Sequence, residues 1–552
     1  MFKKILFNSL LIFTLCFSGC EEFYSFEAKK LNKKAEELVE ESKIITDTDE
    51  KIILLSSALK KIEKIQKRYP KTKIAKLHRK EMKINNLNLN INELKKISKK
   101  QKIQSEKKVN VTKIKKNIDL ADAEFRNGNK LKSSLNLLNA AELSIDQIGD
   151  TRTKFRMSNE ISKLRIFLND KEKAFENLLM SEKYIDKMYT DLPKKIKNLT
   201  KVYKMYHELN KEDKKKEIEK KIYLIINNEV SNNDNKAVAL IEVAKSNFLI
   251  ENTYKVKEDL KKASKLAENS NTYLGIAKIL YKISDIKEVN IMLDKAKISA
   301  RSKNQDFWVI RELINISLFE DSINKNEESY KTLLNAKNSI PIIPDERLVL
   351  ELVDAFARIN KIEEAEKLIK LIKPKYEQSM AYAFIGKQLG IKGYKTEMKS
   401  FSDKALIIAP DQVVGNYEFQ GLPGFSTKGR IFAEVAKSYA LIGDFNIAYE
   451  LLSAIESDRF YKEGVSEVLI IQAKNDKMGA RNLASKMLEH GGKIIDNKFL
   501  GKIAYAQAIS GNIGGSLNII KTMELGFDYT QALINIAHEI NFQQEDLQTL
   551  YH

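Results

Sequence analysis

Apolar residues recur along most of the chain at spacings of three and four. Ile114, Ile118, Ala121 and Phe125 form one such run, and Leu240, Val243 and Ala244 form part of another. Positions spaced this way share one face of an α-helix, so the pattern predicts a long series of amphipathic helices. The runs are separated by short polar gaps at Gly128, Asn169, Asn210, Glu251, Asn324 and Asn475. Connections that short join antiparallel neighbours. The pairs return about every 34 to 41 residues, the signature of a solenoid in which each pair buries its apolar face against the next. The expectation is an all-α solenoid of about eleven helix pairs over roughly residues 110–525. Ala58, Ile62 and Pro70 suggest one further, degenerate unit. Residues 531–540 read as a last helix with no partner after it, a cap for the exposed apolar end.

The clearest unit combines Phe432, Val435, Ala436 and Tyr439 with a Gly443-Asp444 turn, then Ala448 and Leu452. It resembles the tetratricopeptide repeat, W-x2-L-G-x2-Y followed by A-x3-F, with conservative replacements at each slot. Tyr382, Ile385, Gly386 and Leu389 lead in the same way to Gly393, Ala405 and Pro410, with Met398 and Ser402 at the A-x3-F slots. Tyr273, Ile276, Ala277 and Leu280 precede Val289, Leu293 and Ala296. Val349, Leu352, Val353 and Phe356 precede Ala365 and Ile369, and Leu500, Ile503 and Ala504 precede Gly511. The resemblance implies a right-handed superhelical solenoid of about eleven to twelve repeats that binds a protein partner on its concave face.

The first twenty residues follow a different rule. Lys3 and Lys4 precede an apolar stretch from Ile5 to Phe17, then Ser18, Gly19 and Cys20. This is the layout of an export signal, with an apolar run too short to span a bilayer. The ending Phe-Ser-Gly-Cys resembles the lipobox of bacterial lipoproteins. That resemblance implies removal of residues 1–19, lipidation of Cys20, and a membrane-anchored protein facing the periplasm. Because Glu21 rather than Asp follows, it implies the outer membrane more than the inner one. Only two cysteines are present, and Cys16 would leave with the signal, so no free thiol would remain for catalysis.

Charge sharpens the division of the chain. Of 552 residues, 95 are Lys or Arg and 75 are Asp or Glu, a formal net charge of +20. Residues 51–116 hold about 22 basic and 4 acidic side chains, whereas residues 386–552 hold about 18 and 19. The expected organisation is a signal peptide at 1–19, a Lys-rich helical region at 20–116, solenoid at 117–410, a Gly-rich loop insertion at 411–429, and further solenoid at 430–552. The lysines of 51–116 form either the solvated outer face of helices built on Leu55, Leu59, Ile62 and Ile65, or a surface lying against anionic headgroups. The aromatics of the loop, Tyr417, Phe419 and Phe425, either pack it onto the solenoid or anchor a partner.

Catalytic signatures are missing from the sequence. Its five histidines, at positions 78, 207, 490, 538 and 552, form no H-E-x-x-H arrangement, and no G-x-S-x-G occurs. Gly424 to Gly429 has P-loop glycine spacing, but Arg430 and Ile431 stand where Lys and Ser or Thr are required. The expectation is a non-enzymatic protein with no metal and no cofactor, and export argues against nucleic acid as a partner.

In tetratricopeptide proteins two slots of each first helix point into the groove. Along this chain they include Lys115, Lys163, Lys204, Lys245, Lys278, Arg311, Arg347, Lys387, Arg430, Lys437, Lys462 and Lys498, and also the uncharged Leu469. In all, about 14 of the slot residues are basic and 2, Asp122 and Asp354, are acidic. A groove so lined would focus field on an anionic partner, either an acidic protein or peptide segment or an anionic envelope glycan.

Overall fold

The computed structural model describes residues 24–44, 48–81, 91–188, 191–302, 306–341, 345–410, 427–490 and 496–541. Residues 1–19, read above as a signal peptide, Cys20, and Tyr417, Phe419 and Phe425 of the expected loop lie outside them. The chain divides into two compact units, Met1–Lys113 and Ile114–His552.

The first unit holds α1 (24–44), α2 (Thr48–Arg68), α3 (Lys73–Glu81) and the start of α4 (Ile91–Arg126). Leu55, Leu59 and Ile62 of α2 are buried against Ala35 and Val39 of α1. Lys60, Lys64 and Lys67 take the exposed positions between them. His78 is fully buried and its Nε2 is 2.8 Å from Oδ1 of Asn32.

The second unit is helical throughout its described residues. After the end of α4 it continues with α5 (Lys130–Ser144), α6 (Thr151–Phe167), α7 (Lys171–Met188), α8 (Leu192–Glu208), α9 (Glu212–Leu224), α10 (Asn233–Leu249), α11 (Thr253–Leu266) and α12 (Ser270–Lys282). Then come α13 (Ile286–Arg301), α14 (Asp306–Ser322), α15 (Asn326–Asn338), α16 (Glu346–Arg358), α17 (Ile362–Ile369), α18 (Lys375–Ile391) and α19 (Lys395–Ile408). The last helices are α20 (Thr427–Leu441), α21 (Phe445–Ser453), α22 (Asp458–Asn475), α23 (Lys477–His490), α24 (Asn497–Ile509), α25 (Ile513–Thr522) and α26 (Phe527–Asn541). From α6 onward, each even-numbered helix pairs with the odd-numbered helix after it and also touches the next even-numbered one. The even-numbered helices are thus an inner layer, and the odd-numbered ones an outer layer. This is the all-α solenoid that the periodicity predicts.

The turns explain why the pairs are so regular. Residues with positive φ occur at Gly128, Asn169, Asn210, Glu251, Ser284, Asn324, Asn360, Gly393, Gly443 and Gly511. At each, the next backbone N–H donates to a carbonyl five residues back, as from Asp444 to Tyr439 at 2.9 Å and from Lys361 to Phe356 at 2.8 Å. That is the Schellman closure, and it caps one helix while reversing the chain. Asn475 departs from the expectation. The α22–α23 turn has no left-handed residue, and Asp476 instead accepts from the Gly479 N–H at 2.9 Å.

Small residues set the spacing within pairs. Ala436 and Ala448 are fully buried, and Leu452 and Tyr439 nearly so. Met398 and Ser402 depart from the repeat pattern but are fully buried as well, because Gly386 opposite them carries no side chain. A Cβ there would stand 3.0 Å from Ser402 Oγ. Buried serines also bond the two helices of a pair together, as from Ser516 to the Ala504 carbonyl at 2.7 Å and from Ser158 to the Asn177 carbonyl at 2.9 Å.

The end of the series corrects the cap expected at residues 531–540. Helix α26 packs along α5, and it also touches both α24 and α6. Ser134 Oγ donates to the Ala537 carbonyl at 2.7 Å, Ser144 and Thr530 hydroxyls meet at 2.7 Å, and Gln531 donates to Glu160 at 3.0 Å. Arg156 of α6 lies over the Phe527 ring, 4.5 Å from its centroid. The inner helix of the last pair is therefore supplied by one end of the unit and its outer helix by the other. The solenoid closes on itself, with ten consecutive pairs from α6–α7 to α24–α25 and an eleventh formed by α26 and α5. Residues 114–126 of α4 pack outside this pair. Asp119 pairs with Lys521 of α25 at 2.7 Å, and the Ala121 carbonyl accepts from Ser133 at 2.7 Å. A circle of eleven helices spaced about 9 Å apart would leave an opening roughly 20 Å across.

Two stability changes are expected. Gly443→Ala meets no atom within 4 Å but must hold φ near +85°, so it should cost about 1 kcal/mol, whereas Glu251→Gly, relieving φ 60°, should stabilise by up to about 1 kcal/mol. Urea titration of each variant measures both.

Burial lowers the His538 pKa below its ordinary 6.5 within the seam. A histidine depressed in the folded state contributes stability above pH 6.5 that is lost as the pH falls through its folded pKa. Thermal midpoints should fall between pH 7 and 5, and by less in His538→Gln.

The inner face as candidate functional site

Inner-layer helices are buried on every side but one, and that side carries the groove residues expected from the repeat. The structure divides them into two arcs. In the arc from α14 to α24 four of the seven expected cations, Arg311, Lys387, Lys437 and Lys462, are matched by acids. Arg311 of α14 holds Glu351 of α16 through a two-pronged contact, its Nε donating at 2.8 and 3.1 Å. Lys387 of α18 reaches Glu434 of α20 at 3.5 Å, Glu434 pairs with Lys437 at 2.9 Å, and Lys437 pairs with Glu467 of α22 at 2.7 Å. Burial would raise the Glu434 carboxyl, but Lys437 and Lys387 more than offset it and hold it below the usual range. Burial would lower Lys437, and its two glutamates raise it instead. Lys462 pairs with Asp496 at 2.9 Å, Arg430 donates to the Tyr376 hydroxyl at 3.4 Å, and Arg347 and Lys498 are exposed.

The arc from α6 to α12 is unlike this. Lys163 of α6, Lys201 of α8 and Lys278 of α12 keep contact with solvent, yet the protein wall around them displaces enough water to lower their pKa values. Repulsion adds to that burial: Lys204 acts on Lys163, Lys163 and Lys197 act on Lys201, and Lys245 acts on Lys278. The acids present are already engaged. Glu208 pairs with Lys204 at 3.3 Å, Glu242 with Lys245 at 2.7 Å, and Glu160 accepts from Gln531. The continuous basic stripe expected from the two slots is thus interrupted by ion pairs, most of them between neighbouring helices from α14 to α24.

The slots missed the acids because those stand between them, three residues before the second slot, at Glu160, Glu242, Glu351 and Glu434. Helical spacing puts them on the same face, so the signal was available. Register explains a second difference. Leu469, expected in the groove, is fully buried, and Arg459 and Glu463 line the cleft beside Arg430 and Lys437 instead. Lys115 and Asp122 sit on the end of α4, whose Asp119 reaches α25, and so belong outside the inner layer. Clefts of about 270 and 250 Å3 open between α22 and α24 and between α20 and α22, and both mix cations with acids. Among the described residues no three His, Cys, Asp or Glu gather as a metal site, and no helix is long and apolar enough to cross a membrane.

No protein-family model matches the chain, and neither does any curated protein sequence. A solved structure titled "Circular tandem repeat protein with novel repeat topology and enhanced subunit contact surfaces" is similar over 96% of this chain and 99% of its own, at 11% identity and a TM-score of 0.13. The protein is a helical repeat solenoid, and its closure rests on the contacts of α26 described above.

Lys437 and Glu434 are mostly buried, at 12% and 15% side-chain exposure, so Lys437→Met should destabilise by about 2 kcal/mol, because Glu434 then keeps only its longer contact with Lys387. Arg347→Met, at an exposed position, should change stability by less than about 0.5 kcal/mol. Denaturant midpoints compare the two.

Proposed function

We propose that this chain is a membrane-anchored lipoprotein of tetratricopeptide-like helix pairs. It faces the periplasm, is held at the outer membrane through Cys20, and binds an acidic protein partner on the inner face of its ring. The observation that carries this reading is the α6–α12 arc, where Lys163, Lys201 and Lys278 face solvent among other lysines and form no ion pair, whereas Lys387, Lys437 and Lys462 further round the ring are paired with acids. A charged surface left in this state favours association with an anion and speeds its encounter. The arrangement of the first twenty residues supports export and anchoring. The reading is non-enzymatic, and the use of polar groups in the core supports it. Buried Asp259 is held by Tyr223 at 2.9 Å and Asn247 at 3.0 Å, and buried Glu320 by Thr332 at 2.7 Å, contacts that join helices to one another.

A photocrosslinking residue at position 271, on the inner layer, should yield one discrete protein adduct in envelope extracts, and one at outer-layer position 295 should yield none. Lys245→Ala with Lys278→Ala should reduce that adduct several-fold and flatten its dependence on salt. Equal adducts from both positions would overturn the inner-face reading.

A further inference from the structure

We infer that the cleft between α22 and α24 binds a sugar acid, a polyhydroxylated monoanion in chemical class. The inference goes beyond the scaffold reading and does not require it. Arg459, Lys462, Glu463 and Ser466 line one side of the cleft, and their three-and-four spacing puts them on one face of α22. Asp496, Lys498, Phe499 and Lys502 line the other side, at the start of α24. The volume of about 270 Å3 is room for roughly nine waters at about 30 Å3 each, and so for one sugar-sized molecule. Buried Phe499 gives the cleft an apolar wall.

Charge and hydrogen-bonding capacity together select the ligand. Four cations line the cleft against two acids, and Asp528 of α26 acts on Lys498 from beyond them, which leaves about one positive charge. Lys462 is taken by Asp496 at 2.9 Å, and Arg459 stands 3.6 Å from Glu463. Among the described residues, Lys498 and Lys502 make no ion pair. One carboxylate on the ligand therefore meets the charge that is left. The cleft also has acceptors to fill. Glu463 lies beyond hydrogen-bond distance of Arg459, and the Ser466 hydroxyl donates to the Lys462 carbonyl, so both keep lone pairs for a donor. An acidic peptide segment would bring further carboxylates against Glu463 and Asp496, and a plain apolar carboxylate would leave the acceptors unmet. A sugar acid offers its carboxylate to the lysines, its hydroxyls to Glu463 and Ser466, and its C–H face to Phe499.

Ligand-observed NMR titration of the full chain tests the site, using glucuronate, trigalacturonate, glucose, cyclohexanecarboxylate and tetraglutamate at matched ionic strength. Glucuronate or trigalacturonate should bind, tighter binding of the first marking a free sugar acid and of the second an acidic glycan. Either should exceed glucose, which lacks the charge, and cyclohexanecarboxylate, which lacks the hydroxyls, by at least about tenfold. Lys498→Gln with Lys502→Gln should weaken binding at least about tenfold, while Lys163→Gln leaves it unchanged. The double variant breaks no ion pair, so its melting temperature should hold, which separates lost binding from lost fold. Glu463→Met raises the positive charge, yet should bring glucuronate and cyclohexanecarboxylate within about threefold of each other. Failure of both sugar acids, equal or tighter binding of cyclohexanecarboxylate or tetraglutamate, an unaltered affinity in the double variant, or tighter glucuronate binding in Glu463→Met would overturn the proposal. Loss of the crosslinked partner with glucuronate binding intact would instead count against the scaffold reading alone.

Discussion

An outer helix of a repeat pair has one apolar face and needs an inner helix in front of it. Helix α5 obtains that helix from the far end of the unit. Tyr529, Leu533, Ile536 and Ile540 of α26 are almost fully buried, and burial of each such side chain is worth about 1.5–3 kcal/mol. Serine-to-carbonyl bonds of the kind used within ordinary pairs then fix the register between α5 and α26. Because this one contact joins the ends, both terminal apolar faces disappear together, and neither end needs a polar cap. The price is that the number of pairs is no longer free. An open solenoid tolerates one repeat more or less, whereas here a changed count would leave α26 without its seat.

The inner face shows how closure and charge act together. A ring of parallel helices crowds long basic side chains toward a shared space, and repulsion between them grows with that crowding. From α14 to α24 the chain answers with glutamates one helix away, so that Lys387, Glu434, Lys437 and Glu467 form a ladder across three inner helices. From α6 to α12 the glutamates mostly pair within their own helix, and several lysines are left to oppose one another. Helix-to-helix ion pairs reinforce the wall. Within-helix pairs leave charge available to something else.

Much of the fold was legible because it is locally encoded. The three-and-four spacing marked the helices, and Gly128, Asn169, Asn210, Glu251, Asn324, Gly393, Gly443 and Gly511 marked the turns that a left-handed residue closes. The closure was not legible. Residues 527–541 look like any inner helix, and only the unpartnered face of α5, some four hundred residues earlier, shows what they fit. The site was half legible. Slot periodicity found Lys163, Lys204, Lys245 and Lys278, but counting two slots per helix skipped the turn between them that carries Glu160, Glu351 and Glu434. In α22 the register slipped, because Leu469 and Arg459 cannot be told apart as groove positions without seeing which is buried.

Antiparallel pairing also makes every inner helix run the same way, α26 included, since it lies antiparallel to α5 with Thr530 beside Ser144 and Ala537 beside Ser134. Eleven helix dipoles therefore add along the axis of the ring instead of cancelling. One mouth collects the partly positive N-terminal ends, where Asp150, Asp191, Asp345 and Asp496 cap free backbone N–H groups, and the other mouth collects the partly negative C-terminal ends. The passage has an electrical direction, so a charged chain entering by one mouth meets a different potential from one entering by the other.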